Sequence, residues 1–186
     1  KFLEDYQNIK YAEKFGDLVS YARKIDKNIG NGSQFSTAVL KNYFKLMAYK
    51  DEYEVSRLMT NKKFVDDVNK NFEGDFNYNF YLAPPIFSKK SKVDGKLLKI
   101  KFGGWLFNVF KLLSKFKFLR GTKLDPFGYL NERKKERELI RDYKQTITDI
   151  GTKINKSNYE TAVKIASIPD QIRGFGHVKE KNIKEA

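Results

Sequence analysis

The sequence contains no cysteine and a single histidine, His177, among its 186 residues. Without cysteine the chain forms no disulfide, no thiolate metal site and no cysteine nucleophile, and it offers no ligands for an iron–sulfur cluster. A single histidine also excludes metal sites that need a histidine pair. The absence of cysteine fits a reducing compartment, and we expect a cytoplasmic protein.

Long apolar runs and nucleotide-binding glycine loops are absent as well. The apolar stretch GGWLFNVF is ended by Lys111, far short of the roughly 18 residues that a membrane-spanning helix needs. The glycines of GNG and RGFGH lack the strand–loop–helix context of a phosphate-binding loop. The chain begins with Lys1 rather than Met, so we expect it to be a fragment of a larger multidomain chain.

Negative charge is scarce, with 23 Asp and Glu against 37 Lys and Arg, which gives a formal net charge of +14. This balance favours an anionic partner such as an acidic protein, a membrane surface or nucleic acid. The excess is mostly lysine in a chain also rich in Asn, Ile and Tyr, so surface composition explains much of it. Nucleic acid is disfavoured, because most aromatic residues fall on apolar stripes rather than beside lysines, where a base-stacking platform needs them.

Apolar residues recur at helical spacing along most of the chain and predict a mostly α fold. The predicted helical segments span residues 2–25, 36–59, 61–72, 105–118, 131–154 and 157–166. The second is predicted as one long or broken helix, and the third buries Phe64, Val65 and Val68. The fifth has an inward stripe of Ile and Tyr and a solvated, charged start. Ser157 and Glu160 predict a capping box for the last segment.

Two short runs change to an alternating pattern, which predicts two antiparallel strands. Their shared faces consist of Phe76, Tyr78, Phe80 and Leu82 in the first run, and of Leu98, Ile100 and Phe102 in the second. Pro84 and Pro85 end the first strand, and the turn signal VDG precedes the second. We therefore expect a mostly α (α+β) fold, a helical domain with a small antiparallel β-hairpin or sheet, in a single domain of residues 1–186.

The helix predicted over residues 105–118 is the candidate cover for this marginal sheet. Its apolar stripe consists of Trp105, Val109, Leu112, Leu113 and Phe116. We expect the stripe to face the core, because a small domain needs its few aromatic helices inside. The alternative is a basic amphipathic helix that lies on a membrane or a partner, since lysines flank the stripe.

The single histidine lies in the glycine-bracketed stretch IRGFGHVKEKN. A general base needs an orienting partner and a substrate pocket, and the sequence shows neither. We therefore interpret His177 as structural, with Gly174 and Gly176 allowing a tight turn. Arg173 and His177 would tie that turn to neighbouring carboxylates or carbonyls. A contribution of His177 to an active site stays open as the alternative.

Six short motifs follow one another along the chain: NYFKLMAYKDEYEVSRL, FEGD, LAPP, FGGWL, LRGTKLDPFGY and IRGFGHVKEKN. In this order and spacing they resemble the C-terminal domain of the long, fused-chain indolepyruvate ferredoxin oxidoreductases, from about Tyr6 to the end. The first motif concentrates charges that either pair along one helix or form an interdomain contact. The candidate interface or signature residues in these motifs are Lys50, Asp51, Glu52, Tyr53, Arg120, Asp125, Arg173, His177, Lys179 and Glu180.

The resemblance implies a parent enzyme that oxidatively decarboxylates aryl 2-oxo acids such as indolepyruvate to acyl-CoA and passes electrons to ferredoxin. Its thiamine diphosphate, Mg and iron–sulfur clusters would belong to upstream domains, with CoA as co-substrate, and we expect no cofactor and no catalytic residue in this fragment. We expect a non-catalytic accessory domain that contacts other domains of the parent and ferredoxin. The alternative is a basic anion-binding module for nucleic acid or a membrane surface.

Overall fold

The structure is a computed structural model that describes residues 1–72, 74, 77–83, 98–174 and 177–185, except the side chains of His177 and Glu180. Within these ranges the chain forms nine α-helices, two short 3₁₀ helices and two β-strands. The predicted fold class, mostly α with a small antiparallel sheet, is confirmed. Phe76, Pro84, Pro85 and Gly176, which carried predictions, lie outside the described residues.

The elements have the following bounds in chain order: α1 (Phe2–Tyr6), α2 (Ile9–Ile29), α3 (Gln34–Met47), α4 (Glu52–Met59), α5 (Lys62–Asn71), β1 (Phe80–Leu82), β2 (Ile100–Phe102), α6 (Leu106–Lys115), a 3₁₀ helix (Lys117–Leu119), α7 (Asn131–Gly151), α8 (Tyr159–Ala166), a second 3₁₀ helix (Ile168–Gln171) and α9 (His177–Glu185).

The chain divides into two compact units. The helical unit consists of Lys1–Tyr49 and Phe118–Ala186, and the mixed unit consists of Lys50–Lys117. The helical unit is therefore built from two separate stretches of sequence. That the chain acts as one accessory domain stays a prediction.

The core of the helical unit lies among α2, α3, α7 and α8. Tyr43 of α3 stacks on Tyr143 of α7 with ring centroids 5.9 Å apart, and Ile147 and Tyr159 are completely buried. The hydroxyl of Tyr143 donates to the carbonyl of Ala166 at 2.8 Å, which links α7 to the end of α8. The predicted inward stripe of Ile and Tyr on α7 is confirmed. Fully burying an aliphatic side chain such as that of Ile147 contributes about 1.5–3 kcal/mol.

The charged start of α7 is less solvated than predicted. Glu136 is buried, because Lys179 of α9 donates to both of its carboxylate oxygens at 2.6 and 2.7 Å. An ion pair of this kind offsets part of the cost of removing the carboxylate from water. The helical pattern identified the stripe of α7 but gave no sign of a cation brought in from α9.

Side-chain capping divides the first predicted helix into α1 and α2. The side chain of Asn8 accepts a hydrogen bond from the amide of Tyr11 at 2.9 Å and so begins α2. Such a cap satisfies one of the amides that a helix start leaves without a partner. In the same way the side chain of Asp51 accepts from the amide of Glu54 at 2.9 Å and begins α4. The second predicted helix is therefore broken, one of the two forms left open.

Two local predictions are wrong. The residue at the cap position of α8 is Asn158, whose side chain accepts from the amide of Asn155, and Ser157 forms no capping box. In α5 no residue is buried, and Phe64 is 43% exposed. An amphipathic pattern marks which face of a helix is apolar but does not say whether a neighbour covers that face.

The mixed unit packs α6 on α4, and one residue of α6 also contacts β1. In the antiparallel register Phe80 is opposite Phe102, Tyr81 is opposite Lys101 and Leu82 is opposite Ile100. Phe110 of α6 meets Phe80 edge-on with ring centroids 5.2 Å apart. Phe107 stacks on Tyr78 at 5.7 Å. The predicted strand pairing is confirmed, and α6 contacts the sheet through Phe110. That α6 covers a whole face of the sheet stays a prediction.

Candidate functional site

One side of α6 exposes large apolar side chains, and we call it the α6 outer face: Trp105, Val109, Leu112 and Phe116. Trp105 and Leu112 are each 59% exposed. The sequence prediction placed this stripe in the core and is wrong; the buried residues of α6 are Leu106 and Phe110. Apolar residues lie on almost every side of this helix, so periodicity alone did not identify the inward face.

The α6 outer face lies in a lysine-rich stretch of sequence. Residues 96–117 contain six lysines and neither Asp nor Glu. Lys111 lies over the ring of Phe107, with its ammonium nitrogen 4.8 Å from the ring centroid. The outer face is therefore an apolar stripe in a segment of uniformly positive charge.

The charged residues around α4 form pairs within the helix. Arg57 donates to both carboxylate oxygens of Glu54, at 2.8 and 2.7 Å, and Glu54 is buried. Asp51 is buried as the helix cap, and Tyr53 is also buried. Of the two alternatives that the sequence left open, pairing along the helix is observed for Glu54 and Arg57, and the interdomain contact stays a prediction. Of the other candidates here, Lys50 is exposed and Glu52 is half-buried.

Arg120 and Asp125 hold the compact loop between the first 3₁₀ helix and α7. Arg120 is buried with its guanidinium 3.6 Å from the ring centroid of Tyr6, and it donates to the carbonyl of Tyr6. Asp125 is buried and accepts from the amides of Gly121 at 2.8 Å and Phe127 at 3.1 Å. Gly121 has a φ of +74°, a conformation that favours glycine. Both candidates therefore have structural contacts within the helical unit.

A second group of charges, the Lys45 cluster, consists of Lys41, Lys45, Asp170, Arg173 and Lys179. Lys41 donates to the carboxylate of Asp170 at 2.9 Å, and the Nε of Arg173 donates to the carbonyl of Asp170 at 3.0 Å. Burial lowers the pKa of Lys45, Asp170 opposes that change, and Arg173, Lys179 and Lys41 reinforce it. The cluster thus joins α3, the second 3₁₀ helix, the residues after it and α9.

Two of the sequence candidates, Arg173 and Lys179, lie in the Lys45 cluster, and the predicted bond from Arg173 to a carbonyl is confirmed. Gly174 has a φ of +89°, which fits the predicted tight turn. His177 is the first residue of α9, and Glu180 lies in the same helix; their side chains are outside the described part. The structural and catalytic interpretations of His177 both stay predictions.

Sequence reasoning missed Lys41 and Lys45. Their spacing of four residues on α3 was a local signal that they share a helix face. Their partner Asp170 is 129 residues from Lys41 in the sequence, so no local pattern linked them.

A surface cavity of about 390 Å³ lies beside the start of α3. It is lined in part by Asp26, which accepts from the amide of Ser36 at 2.8 Å and from the hydroxyl of Tyr159 at 2.7 Å. The amide of Phe35 donates to the same hydroxyl at 3.1 Å. Burial and the Asp26 carboxylate both raise the pKa of Tyr159. These contacts give the amides of Phe35 and Ser36 acceptors at the start of α3. Each carboxylate oxygen of Asp26 accepts a hydrogen bond.

Known ligand arrangements are not evident in the part of the chain that the structure describes. That part contains no group of three or more His, Asp or Glu placed to hold a metal ion. None of its helices combines the length and apolarity needed to cross a bilayer.

Comparison with curated proteins and with solved structures gives no match. A family of unknown function (DUF6537) matches residues 1–186, and the chain belongs to this family.

Proposed function

We propose that this chain is a non-catalytic accessory domain of an enzyme similar to the indolepyruvate ferredoxin oxidoreductases. Its role is to dock on other domains of the parent, which carry the thiamine diphosphate, Mg and iron–sulfur clusters and use CoA. The six sequence motifs support the kind of parent enzyme, and a cytoplasmic location belongs to the same proposal. The observation that carries the docking role is the exposed α6 outer face.

An apolar face of this kind is unfavourable in water and marks interaction surfaces when its members are contiguous. Trp105 is the only tryptophan of the chain, and exposed tryptophans are enriched among the residues that dominate binding energy at interfaces. Trp105 also contacts Phe102 edge-on at 6.1 Å, which limits the orientations available to its ring. A partially fixed aromatic side chain loses less conformational entropy on binding than a free one.

The charge of the sequence segment that carries the face favours one kind of partner. Six lysines without a carboxylate in residues 96–117 favour a partner with an apolar centre and an acidic rim. An acidic domain of the parent meets this description, and so does an acidic ferredoxin. Attraction between these surfaces increases the association rate and weakens as salt rises.

The contacts of the candidate residues support a non-catalytic role. Arg120 and Asp125 bind backbone groups of their own unit, Asp51 caps α4, and Lys179 pairs with Glu136. Each of these polar groups already has partners that its burial requires.

The test uses the complete parent enzyme with Leu112→Ser or Trp105→Ala. Leu124→Ser is the matched control, since Leu124 is 76% exposed in the loop before α7 and lies outside α6. Assembly is measured by light scattering, and activity by the CoA-dependent oxidation of indolepyruvate and phenylpyruvate with ferredoxin. We expect the two α6 variants to weaken assembly or electron transfer to ferredoxin, with the Leu124 variant unchanged.

Deletion of residues 1–186 from the parent completes the test. Loss of assembly supports a docking role among the parent's domains, and loss of turnover with intact assembly supports docking of ferredoxin. Unchanged assembly and turnover in both the deletion and the α6 variants would contradict the proposal.

The second candidate function is a basic module that binds an anionic surface, and the same lysine-rich stretch favours it. Retention of residues 1–186 on heparin and on vesicles with anionic lipids tests it. Saturable binding that weakens with salt and is lost in Leu112→Ser favours a membrane surface, because that residue supplies apolar contact rather than charge. Binding to heparin alone, unchanged in Leu112→Ser, favours nucleic acid.

A further inference from the structure

We propose that the Lys45 cluster of the helical unit is a binding site for a phosphate group. The inference is independent of the proposed docking function, since the site lies in the helical unit and none of its residues belongs to the α6 outer face. It rests on the geometry of Lys41, Lys45 and Arg173 around Asp170.

The cluster contains more positive than negative charge. Its four cations are Lys41, Lys45, Arg173 and Lys179, and the carboxylates that contact them are Asp170 and Glu136. Lys41 pairs with Asp170 at 2.9 Å, and Lys179 pairs with Glu136 at 2.6 Å. Among the side chains that the structure describes, two charges of the cluster have no carboxylate partner, those of Lys45 and Arg173.

The described hydrogen bonds of these two cations go to backbone carbonyls. The ammonium of Lys45 donates to the carbonyl of Pro169 at 2.6 Å, and the Nε of Arg173 donates to the carbonyl of Asp170 at 3.0 Å. A carbonyl accepts a hydrogen bond but supplies no negative charge, so the positive charge of each group is not neutralised by that bond. Within the described residues, the Arg173 guanidinium forms its hydrogen bond through Nε alone. Its two terminal NH₂ groups form the planar fork that binds phosphate and carboxylate oxygens.

Lys45 and Arg173 lie close together because they donate to the carbonyls of two adjacent residues. Pro169 and Asp170 are consecutive residues of the second 3₁₀ helix, so the groups that bind their carbonyls lie on the same part of the surface. Lys41 and Lys45 share a face of α3, because they are four residues apart. Their mutual repulsion is consistent with the lowered pKa of Lys45, which has burial as its first cause.

A phosphate fits this site better than a monovalent carboxylate does. A phosphate monoester carries nearly two negative charges at neutral pH, which matches the two charges left in the cluster. Its oxygens accept from a lysine ammonium and a guanidinium at the same time. Lys45 is half-buried, so the ion pair would be less screened than one at the open surface.

The test measures binding of inorganic phosphate and of adenosine monophosphate to residues 1–186 by calorimetry, at constant ionic strength. Adenosine is the control without phosphate. We expect Arg173→Gln and Lys45→Met each to raise the Kd for the phosphate probe by about tenfold or more, the equivalent of a lost charge-assisted hydrogen bond. Lys24→Gln is the matched control, because it removes one charge from an exposed position of α2 in the same unit and leaves the cluster intact.

The binding of the two probes and of the variants supports or overturns the proposed phosphate site. Binding of both probes supports a site for the phosphate group itself. Tighter binding of adenosine monophosphate than of phosphate, with no binding of adenosine, identifies a phosphorylated nucleoside as the ligand class. Because Arg173 is exposed, we expect Arg173→Gln to keep the fold. The Kd of this variant for the phosphate probe therefore tests the site even where Lys45→Met lowers stability. The proposal is overturned when neither probe binds, or when Lys24→Gln weakens binding as much as Arg173→Gln does.

Discussion

Arg120 shows how a charged side chain is held inside the helical unit. Its guanidinium lies over the ring of Tyr6 and donates to the carbonyl of the same residue. Cation–π contact and hydrogen bonding together compensate for removing the charge from water. The backbone carbonyl of Arg120 accepts from the side chain of Gln7 at 3.2 Å. The residue thus fixes the loop after the first 3₁₀ helix to the end of α1.

We predict that Arg120→Lys destabilises the chain although it preserves the charge. Lysine lacks the planar fork and the stacking surface of arginine, so we expect a loss of about 1–3 kcal/mol in the free energy of unfolding. Urea unfolding followed by circular dichroism measures this loss. Arg141→Lys is the control, with a side chain that is 73% exposed and an expected change within about 0.5 kcal/mol. Equal midpoints for the two variants would contradict the prediction.

Sequence reasoning identified Arg120 and Asp125 as notable but did not assign their contacts. Tyr6 is 114 residues away from Arg120, and no local pattern links the two. The hydrogen bonds of Asp125 stay within the loop, where Asp followed by Pro is a recognisable turn signal. Short-range roles were therefore accessible from the sequence, and long-range partners required the fold.

At the scale of elements, α2 and α7 approach closely where Gly151 meets Tyr21 and Ile25. A Cβ added at Gly151 would lie 2.7 Å from the Cδ1 of Ile25 and would also collide with the ring of Tyr21. Gly16, within α2, is the opposite case, since a Cβ there meets nothing within 4 Å. Gly16 lies in the interior of α2 and Gly151 is the last residue of α7, so the two positions differ in packing and in place along the helix.

We predict opposite effects for alanine at these two positions. Gly151→Ala forces the side chains of Tyr21 and Ile25 out of their packed positions and lowers the free energy of unfolding by about 1–3 kcal/mol. Gly16→Ala raises it by about 0.5–1 kcal/mol, because alanine has the higher helix propensity and the site has room. Thermal unfolding measures both changes. Stabilisation by both substitutions would show that the helices do not approach closely at Gly151.

The helices show which features of the fold can be read from sequence. Helical periodicity predicted the position of α7 and its inward residues Tyr143 and Ile147 because polar residues occupy the other faces. In α6 the same method chose Trp105 and Leu112 as inward, since apolar residues surround the helix. The contacts of Phe107 and Phe110 with the strands decide the orientation, and they depend on tertiary packing. The sequence offered a helix that lies on a partner only as the alternative, and the structure shows which of its side chains are exposed.

At the scale of the whole molecule, positive charge is shared between the two units. The mixed unit has 14 Lys and Arg against 8 Asp and Glu, and the helical unit has 23 against 15. Composition gives the net charge of the chain, but it does not show which charged side chains lie together in the fold. In the mixed unit the carboxylates all precede residue 96, whereas in the helical unit carboxylates accompany the cations of the Lys45 cluster.

Alkaline pH should unfold the helical unit through its buried tyrosines. Burial, with a smaller contribution from Asp17, raises the pKa of Tyr43 to about 12. Burial also raises the pKa of Tyr143, with a contribution from Asp170. In the unfolded chain tyrosine loses its proton near pH 10, so above that pH the unfolded state binds fewer protons than the folded state. The contribution of these two tyrosines to the free energy of unfolding is therefore constant below about pH 10 and falls as the pH rises toward about 12.

We predict that part of the phenolate absorbance appears together with the loss of helical circular dichroism, rather than before it. The reason is that Tyr43 and Tyr143 ionise readily only after the core opens. Tyr143→Phe should reduce the pH dependence of stability above pH 10 by up to one proton, while it lowers stability by about 1 kcal/mol at neutral pH through loss of the bond to Ala166. Complete ionisation of all 11 tyrosines with unchanged circular dichroism would show that neither side chain is held in the core as described.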